Sequence, residues 1–421
     1  MTKEFEAIIR LAIAGSFGYP VTVLPKELDW LKIEKQSKEH SVQTLVGYAL
    51  RNAKISDIPF EISQRMISDM RNSAFSNNVW REKTLKLLEE MKKEGIPVIL
   101  VKGYAVASCY SSPDCRLSGD TDLLIPIDSE KKAYKYMQSK GFHVEPRWKH
   151  GHHGVCGNRE YGNIELHIRL YDEIVEDVWF KNVKENELVC EAYIEEEIEG
   201  RKYTTLGKTD HAIFLILHLV KHFIMTGMSI RMMLDIVLYL LRNKTEIDFE
   251  RFWKVIVDLN FEKIAQSIIW SIRKYSEENF EIPSMCKNCP AEVELILDDL
   301  EKGGWLGYDE KRTREEGWYE FNRQLITKQK GKLYYILYMI YWKAGRYIYV
   351  LFPTKKQLAK KFPWVEKSVL FVPIAWILYV IYRLKRAAKR GSFTSEIVTN
   401  EKDINDIATG RIKLFKDLNM L

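Results

Sequence analysis

Apolar positions along the first ninety or so residues recur at helical spacing. Ile8, Ile9, Leu11 and Ala12 make one face of a short helix. Ile62, Met66, Met70, Ala74, Leu85, Leu87, Leu88 and Met91 mark a much longer helix over 61–94, with charged residues between them. These aliphatic and methionine positions read as core. The pattern stops at Gly95, a helix terminator, and changes period at Pro97. Pro97-Val98-Ile99-Leu100-Val101 is a continuous apolar run that predicts a buried strand over 97–102, followed by Lys102-Gly103 and a helix over 103–110. A second apolar run, Leu123-Leu124-Ile125-Pro126, predicts a strand over 121–126. Asp128-Ser129-Glu130 opens a helix with Ala133, Tyr136 and Met137 inward, ending at Gly141, and short strands follow near 142–145, 153–157 and 163–170. Strands alternating with helices and then running consecutively predict an α+β unit on a small mixed sheet, not a doubly wound one.

The chain then divides into an N-terminal helical region over 1–95, the α/β core over 96–180, a helical domain over 181–300 that closes a cleft, and a basic, aromatic C-terminal helical region over 301–421. In the third part Thr209-Asp210 caps a helix over 211–224, and Arg231 and Asp235 stand at i, i+4, the spacing of an intrahelical pair. His211, His218 and His222 fall on one face of the first of these helices, with Lys221 beside them. Two readings stay open for that face: buried polar glue between helices, or a layer over the cleft.

The chemistry concentrates at Gly119-Asp120-Thr121-Asp122, where two carboxylates one residue apart enter a strand and so point to one side. Two like charges side by side call for a cation between them. Mg²⁺ suits carboxylate oxygens combined with substrate phosphates. Upstream, Lys102 and Gly103 at a strand-to-helix turn offer a cation and a backbone approach for phosphate. Downstream, Asn163-Ile164-Glu165-Leu166-His167-Ile168-Arg169 alternates, which places Glu165, His167 and Arg169 on one strand face. His167 either touches substrate or orients Glu165 by hydrogen bonding.

In this order, with Arg116 between the turn and the carboxylates, these motifs resemble the uncharacterised nucleotidyltransferase family of the DNA polymerase beta-like superfamily, most closely over 95–170 and more loosely through 235. His218, His222, Arg231 and Asp235 match the family's helical segment. Lys102-Gly103 stands where the wider superfamily has Gly-Ser or Gly-Gly, and the gap to Asp120 is longer than in most branches. The resemblance implies a polymerase beta-like core that transfers a nucleoside monophosphate from an NTP, ATP being the expected donor, to an acceptor hydroxyl. Asp120, Asp122 and Glu165 would be the catalytic carboxylates that hold two Mg²⁺. Lys102, Gly103, Gly119 and His167 would face the nucleotide, and Arg116 the leaving pyrophosphate. Neither the nucleotide nor the acceptor follows from it.

Composition adds boundaries. The 421 residues are 46% hydrophobic and 29% charged, ordinary for a folded chain. A net charge of +6 without an aromatic-interleaved basic stripe argues against nucleic acid as the partner. Met1-Thr2-Lys3-Glu4-Phe5-Glu6 is not the start of a secretory signal, and six cysteines without a framework pattern suit a reducing cytoplasm. Cys286-Lys287-Asn288-Cys289 lacks a second pair at zinc spacing. Lys149-His150-Gly151-His152-His153-Gly154 invites a metal reading, but Pro146 and the glycines mark a hairpin loop, and no carboxylate or cysteine nearby in sequence completes a tetrahedral set. The preferred reading is loop, with one histidine lining the cleft as the alternative.

In the last part, the aromatic run from Leu333 to Trp342 and the uncharged stretch from Ser368 to Tyr382 precede Arg383, Lys385, Arg386, Lys389 and Arg390. Fifteen residues fall short of the ~20 that span a bilayer. A peripheral membrane contact through 333–390 and a buried helix with a solvated basic end are both open. The runner-up to catalysis is therefore a silent nucleotidyltransferase-fold module at a membrane surface.

Overall fold

A computed structural model describes residues 1–53, 58–147, 152–170, 188, 190–225, 227–278, 280–281, 286, 289–303, isolated positions and one helix between 358 and 379, and 401–420. The chain forms two compact units, Met1–Gly304 with Lys416–Leu421, and Trp305–Phe415.

The first unit opens with α1 (Lys3–Phe17), α2 (Trp30–Glu39), α3 (Gln43–Asn52) and α4 (Phe60–Lys93). Local chemistry sets their ends. Thr2 accepts the Phe5 N–H, Asp29 accepts those of Leu31 and Lys32, and Gly18 closes α1 at φ 90°, a left-handed position that glycine takes without strain. α1 is buried nearly all round, from Phe5 to Ser16 apart from Glu6 and Arg10, where the sequence suggested a single apolar face. α4 keeps the expected stripe, and its Leu85, Leu88 and Met91 enter the core beneath the sheet.

Five strands form that sheet: β1 (Ile99–Val101), β2 (Asp120–Leu124), β3 (His143–Glu145), β4 (His153–Asn158) and β5 (Gly162–His167), in the order β1-β2-β5-β4-β3. β2 and β5 run parallel and the other pairings are antiparallel, so the sheet is mixed. Between β1 and β2 the expected helix over 103–110 is one turn, α5 (Tyr104–Ala107), and α6 (Glu130–Ser139) follows β2. Leu100, Leu123, Ile164, Leu166 and Cys156 point to one face and pack with Met91, Ala133 and Met137. At Gly154 the Tyr134 hydroxyl fills the space a Cβ would need, so this glycine is required by packing.

A hairpin, β6 (Ile194–Ile198) and β7 (Arg201–Thr205), interrupts the region read as wholly helical. Glu199 and Gly200 sit at φ 49° and 81°, the positive pair of a two-residue type I′ turn. Helices α7 (Lys208–Met225), α8 (Ile230–Arg242), α9 (Phe249–Asp258), α10 (Glu262–Tyr275) and α11 (Val293–Glu301) complete the unit. α7 starts before the expected cap. Asp210 accepts the Glu191 N–H at 2.6 Å and pairs with Arg251 instead.

In the second unit, Leu358, Val365, Val372 and Ala375 form a small core with Phe362, Trp364, Trp376 and Tyr379 against it. Residues 372–379 are helical. Among the described residues no helix is long and apolar enough to cross a membrane. The run 333–342 and the basic residues 383–390 lie outside the described residues.

Candidate active site

The sheet's second face carries the polar residues because pairing register puts them there. Asp122 stands beside Glu165 and Leu124 beside His167 across the parallel pair, and on β4 His153 stands beside His167. Residues two apart share a face, so Asp120, Asp122, Glu165, His167 and His153 converge. His167 Nε2 lies 2.9 Å from Asp122 Oδ1 and 3.3 Å from Glu165 Oε2, and His153 Nε2 lies 3.7 Å from the same Glu165 oxygen.

Lys102 reaches into this group from the end of β1. Its Nζ is 2.9 Å from Asp122 Oδ2 and 3.2 Å from His218 Nε2, and its backbone N–H donates to His211 Nε2 at 3.2 Å. Lys102 adopts φ 47° and Gly103 φ 51°, ψ −117°. Positive φ at a lysine is strained, and here the contacts at both ends of the residue hold it. The phosphate-side feature is this turn and its ammonium. The helix macrodipole expected behind it is that of a single turn.

The charges have consequences. Burial raises the Asp122 carboxyl, but Lys102 and the His167 hydrogen bond prevail and hold it well below the usual carboxylate range. Burial and the Asp122 charge raise Asp120. Burial raises Glu165, yet its hydrogen bond with His167 brings it below its ordinary value. Burial lowers His167, but Asp122 and Glu165 win and its pKa is raised. On α7, burial and Lys102 keep His218 far below its usual value and bring His222 down to about 3.

Arg116 is placed differently from the expectation of a pyrophosphate contact. It is 3% exposed, with Nε 3.0 Å and Nη2 2.6 Å from the two oxygens of Asp235, and Nη1 2.6 Å from Ser118 Oγ. Tyr110 also donates to Asp235, at 2.6 Å. The intrahelical Arg231–Asp235 pair gives way to this arrangement, and Arg231 donates to the Leu117 carbonyl at 2.6 Å. Asn77 donates to the Asp114 and Arg116 carbonyls, and Thr44 to that of Cys115. The backbone leading into Asp120 is thus tied down by side chains from α3, α4 and α8.

Beside Gly119 and Asp120 opens a cleft of about 470 Å³, lined also by Trp80, Tyr104, Tyr161 and Asn163. The structure brings Asp122, Glu165, His167 and Lys102 into contact. Asp120 lies within electrostatic reach of them, and Gly119 lines the cleft. The sequence reading prefers a plain loop around His152 and His153, with one histidine in the cleft as its alternative; in the structure both His152 and His153 lie against His167. His152, His153 and His167 offer ligand atoms all within 4.8 Å of one another, as do Asp122, Glu165 and His167.

The small mixed sheet thus carries paired carboxylates on one face and a lysine turn at its edge. Residues 26–276, more than half of the chain, match the family described as uncharacterised nucleotidyltransferase, and the chain belongs to that family. Its α+β fold with a small mixed sheet is the one that membership leads one to expect. A solved structure similar to it, an antigenic nucleotidyltransferase-like protein from Paracoccidioides brasiliensis, shares 15% identity over 48% of this chain and 95% of the other, with a TM-score of 0.30. No curated protein matches the chain.

Proposed function

We propose that this protein transfers a nucleoside monophosphate from an NTP to an acceptor hydroxyl at the Asp120–Asp122–Glu165 face, with ATP as the first donor to test. The observation that carries the reading is the in-register pair Asp122 and Glu165, with Lys102 on Asp122 Oδ2, in a chain of this family. The donor set suits Mg²⁺: Asp122 Oδ2 is buried, has an ion contact with Lys102, and makes no hydrogen bond of good geometry, so it keeps coordinating capacity. Asp120, Asp122 and Glu165 would hold the metal, which when bound would acidify the acceptor hydroxyl and neutralise charge on the attacking and leaving oxygens. Lys102 carries a fixed positive charge to the triphosphate, and the Lys102-Gly103 backbone turn lets phosphate oxygens approach. Trp80 and Tyr161 give the adjacent cleft flat apolar walls for a ring, the base or the acceptor.

The test is titration calorimetry of the full chain with each NTP, with and without Mg²⁺, beside the Asp120→Ala/Asp122→Ala variant. Metal-dependent binding of one NTP, lost in the variant, supports the reading. A folded chain that binds no NTP sinks it. One observation favours a second reading, contact with a membrane surface: Phe371, Ile374, Ile377 and Leu378 are exposed at the helix over 372–379. Co-sedimentation of the full chain with anionic vesicles, abolished by Ile374→Glu/Ile377→Glu, would support it.

A further inference from the structure

We infer that His152, His153 and His167 form a nitrogen-rich site for a transition-metal dication of borderline softness, of which Zn²⁺ is the best fit. The site shares His167 with the carboxylate face, but its test holds or fails whether or not an NTP binds. The site is built into the end of a β-ladder. His153 begins β4 and His167 ends β5 as its cross-strand partner, and the Ile168 N–H donates to the His152 carbonyl at 2.9 Å, which fixes the residue next to them. The three rings lie with centroids 4.3, 5.1 and 5.0 Å apart. His152 and His167 are buried, and His153 stands on the open side at 29% side-chain exposure, which leaves an entry path.

Three imidazoles this close must share a proton or a cation, and His153 Nδ1 stands 3.1 Å from a His152 ring nitrogen, a hydrogen bond that a metal would replace. A dication does this for all three at once. Glu165 Oε2 lies on the carboxylate side, 3.3 Å from His167 Nε2 and 3.7 Å from His153 Nε2, so the fourth position is left to water. Three nitrogens and a water suit a small, nearly tetrahedral ion such as Zn²⁺, whereas Mg²⁺ prefers an octahedron of oxygens. Lys221 Nζ lies 3.1 Å from His152 Nε2 and must shift as the metal enters, so its charge works against binding. The set is spread over two strands and a loop, which is why no compact ligand motif announces it.

The experiment uses the full chain, stripped with chelator and titrated with Zn²⁺ against a chromophoric competitor, with bound metal counted by mass spectrometry. The expected result is one Zn²⁺ per chain, at least about a hundredfold preferred over Mg²⁺. His152→Gln and His153→Gln should each weaken it at least about tenfold, as loss of a direct ligand does, and Lys221→Met should tighten it. Absence of stoichiometric Zn²⁺ binding, or an affinity unchanged in both histidine variants, overturns the site. Should those variants fail to fold, the wild-type chain loaded with one Cu²⁺ decides by electron spin-echo modulation. Two or more directly bound imidazoles support the site, and one or none overturns it.

Discussion

Arg116 offers the sharpest test of how this site is held. Its guanidinium and the Asp235 carboxylate meet through two bonds, 2.6 and 3.0 Å long, between side chains that are 4% and 7% exposed. Burial alone would lower an arginine's pKa, yet Asp235 raises that of Arg116, so the charged pair is the stable state. Removing one partner strands the other charge in a dry interior, a cost of roughly 3–5 kcal/mol. Against a whole-domain stability of about 5–15 kcal/mol, either Arg116→Met or Asp235→Ala should lower the urea midpoint sharply. Arg116→Met/Asp235→Ala removes both charges, so it should cost far less than the sum of the two singles. The assay is urea unfolding of the four proteins as a double-mutant cycle. A cost below about 1 kcal/mol for Asp235→Ala would refute the clamp. Arg116→Lys separates the two roles open to this side chain, since lysine keeps the charge but loses the fork. Reduced stability in that variant is the expected outcome. Weakened NTP binding at unchanged stability would return Arg116 to the phosphates.

Other parts of the molecule give equally direct expectations. Gly103→Ala should destabilise by about 1–3 kcal/mol, because φ 51° with ψ −117° suits glycine alone, and NTP affinity measured in the folded fraction should fall with it as Lys102 is displaced. Gly154→Ala should also cost about 1–3 kcal/mol through overlap with the Tyr134 hydroxyl, and Tyr134→Phe in the same chain should recover part of the loss in thermal unfolding. Buried His40 has its pKa lowered by burial to about 4, against 6.5 in the unfolded chain. The unfolded state therefore takes up a proton first, and stability present above pH 6.5 is lost as pH falls towards 4, by roughly 2 kcal/mol at pH 5. The loss between pH 7.5 and pH 5 should shrink in His40→Gln, and an unchanged pH dependence would show that the buried ring does not resist protonation.

Much of the core was readable because its signals are local. Period and punctuation gave α4, β2 and β5 to within a few residues, since a long apolar stripe ended by Gly95 and alternation around Glu165 each admit one simple reading. The same alternation put Asp120 with Asp122, and Glu165 with His167, each on one face of their own strand before any register was known. The hairpin over 194–205 escaped because Ile194-Glu195-Glu196-Glu197-Ile198 is too acidic to announce a strand. Its turn residue Gly200 was the available clue. Where meaning depends on distant partners, the sequence is silent. Asp235 sits at helical spacing from Arg231, and only the approach of the 114–118 segment shows that it serves Arg116.

The α7 histidines show how two readings that looked exclusive become one. As buried glue they should be neutral and satisfied. As cleft lining they should act on the nucleotide side. Burial above all holds His211 and His218 neutral, and a neutral imidazole is what a backbone N–H and an ammonium need as acceptor. A protonated ring in either place would repel Lys102 from Asp122. The helix that packs over the turn thereby fixes both ends of Lys102, its backbone through His211 and its charge between His218 and Asp122. That accounts for a strained, positive-φ lysine at a position where a smaller residue would relax the chain: the energy stored in the turn is offset by contacts that exist only when the cation points at the carboxylate. Packing and electrostatics are the same interaction here, so the glue is what aims the site.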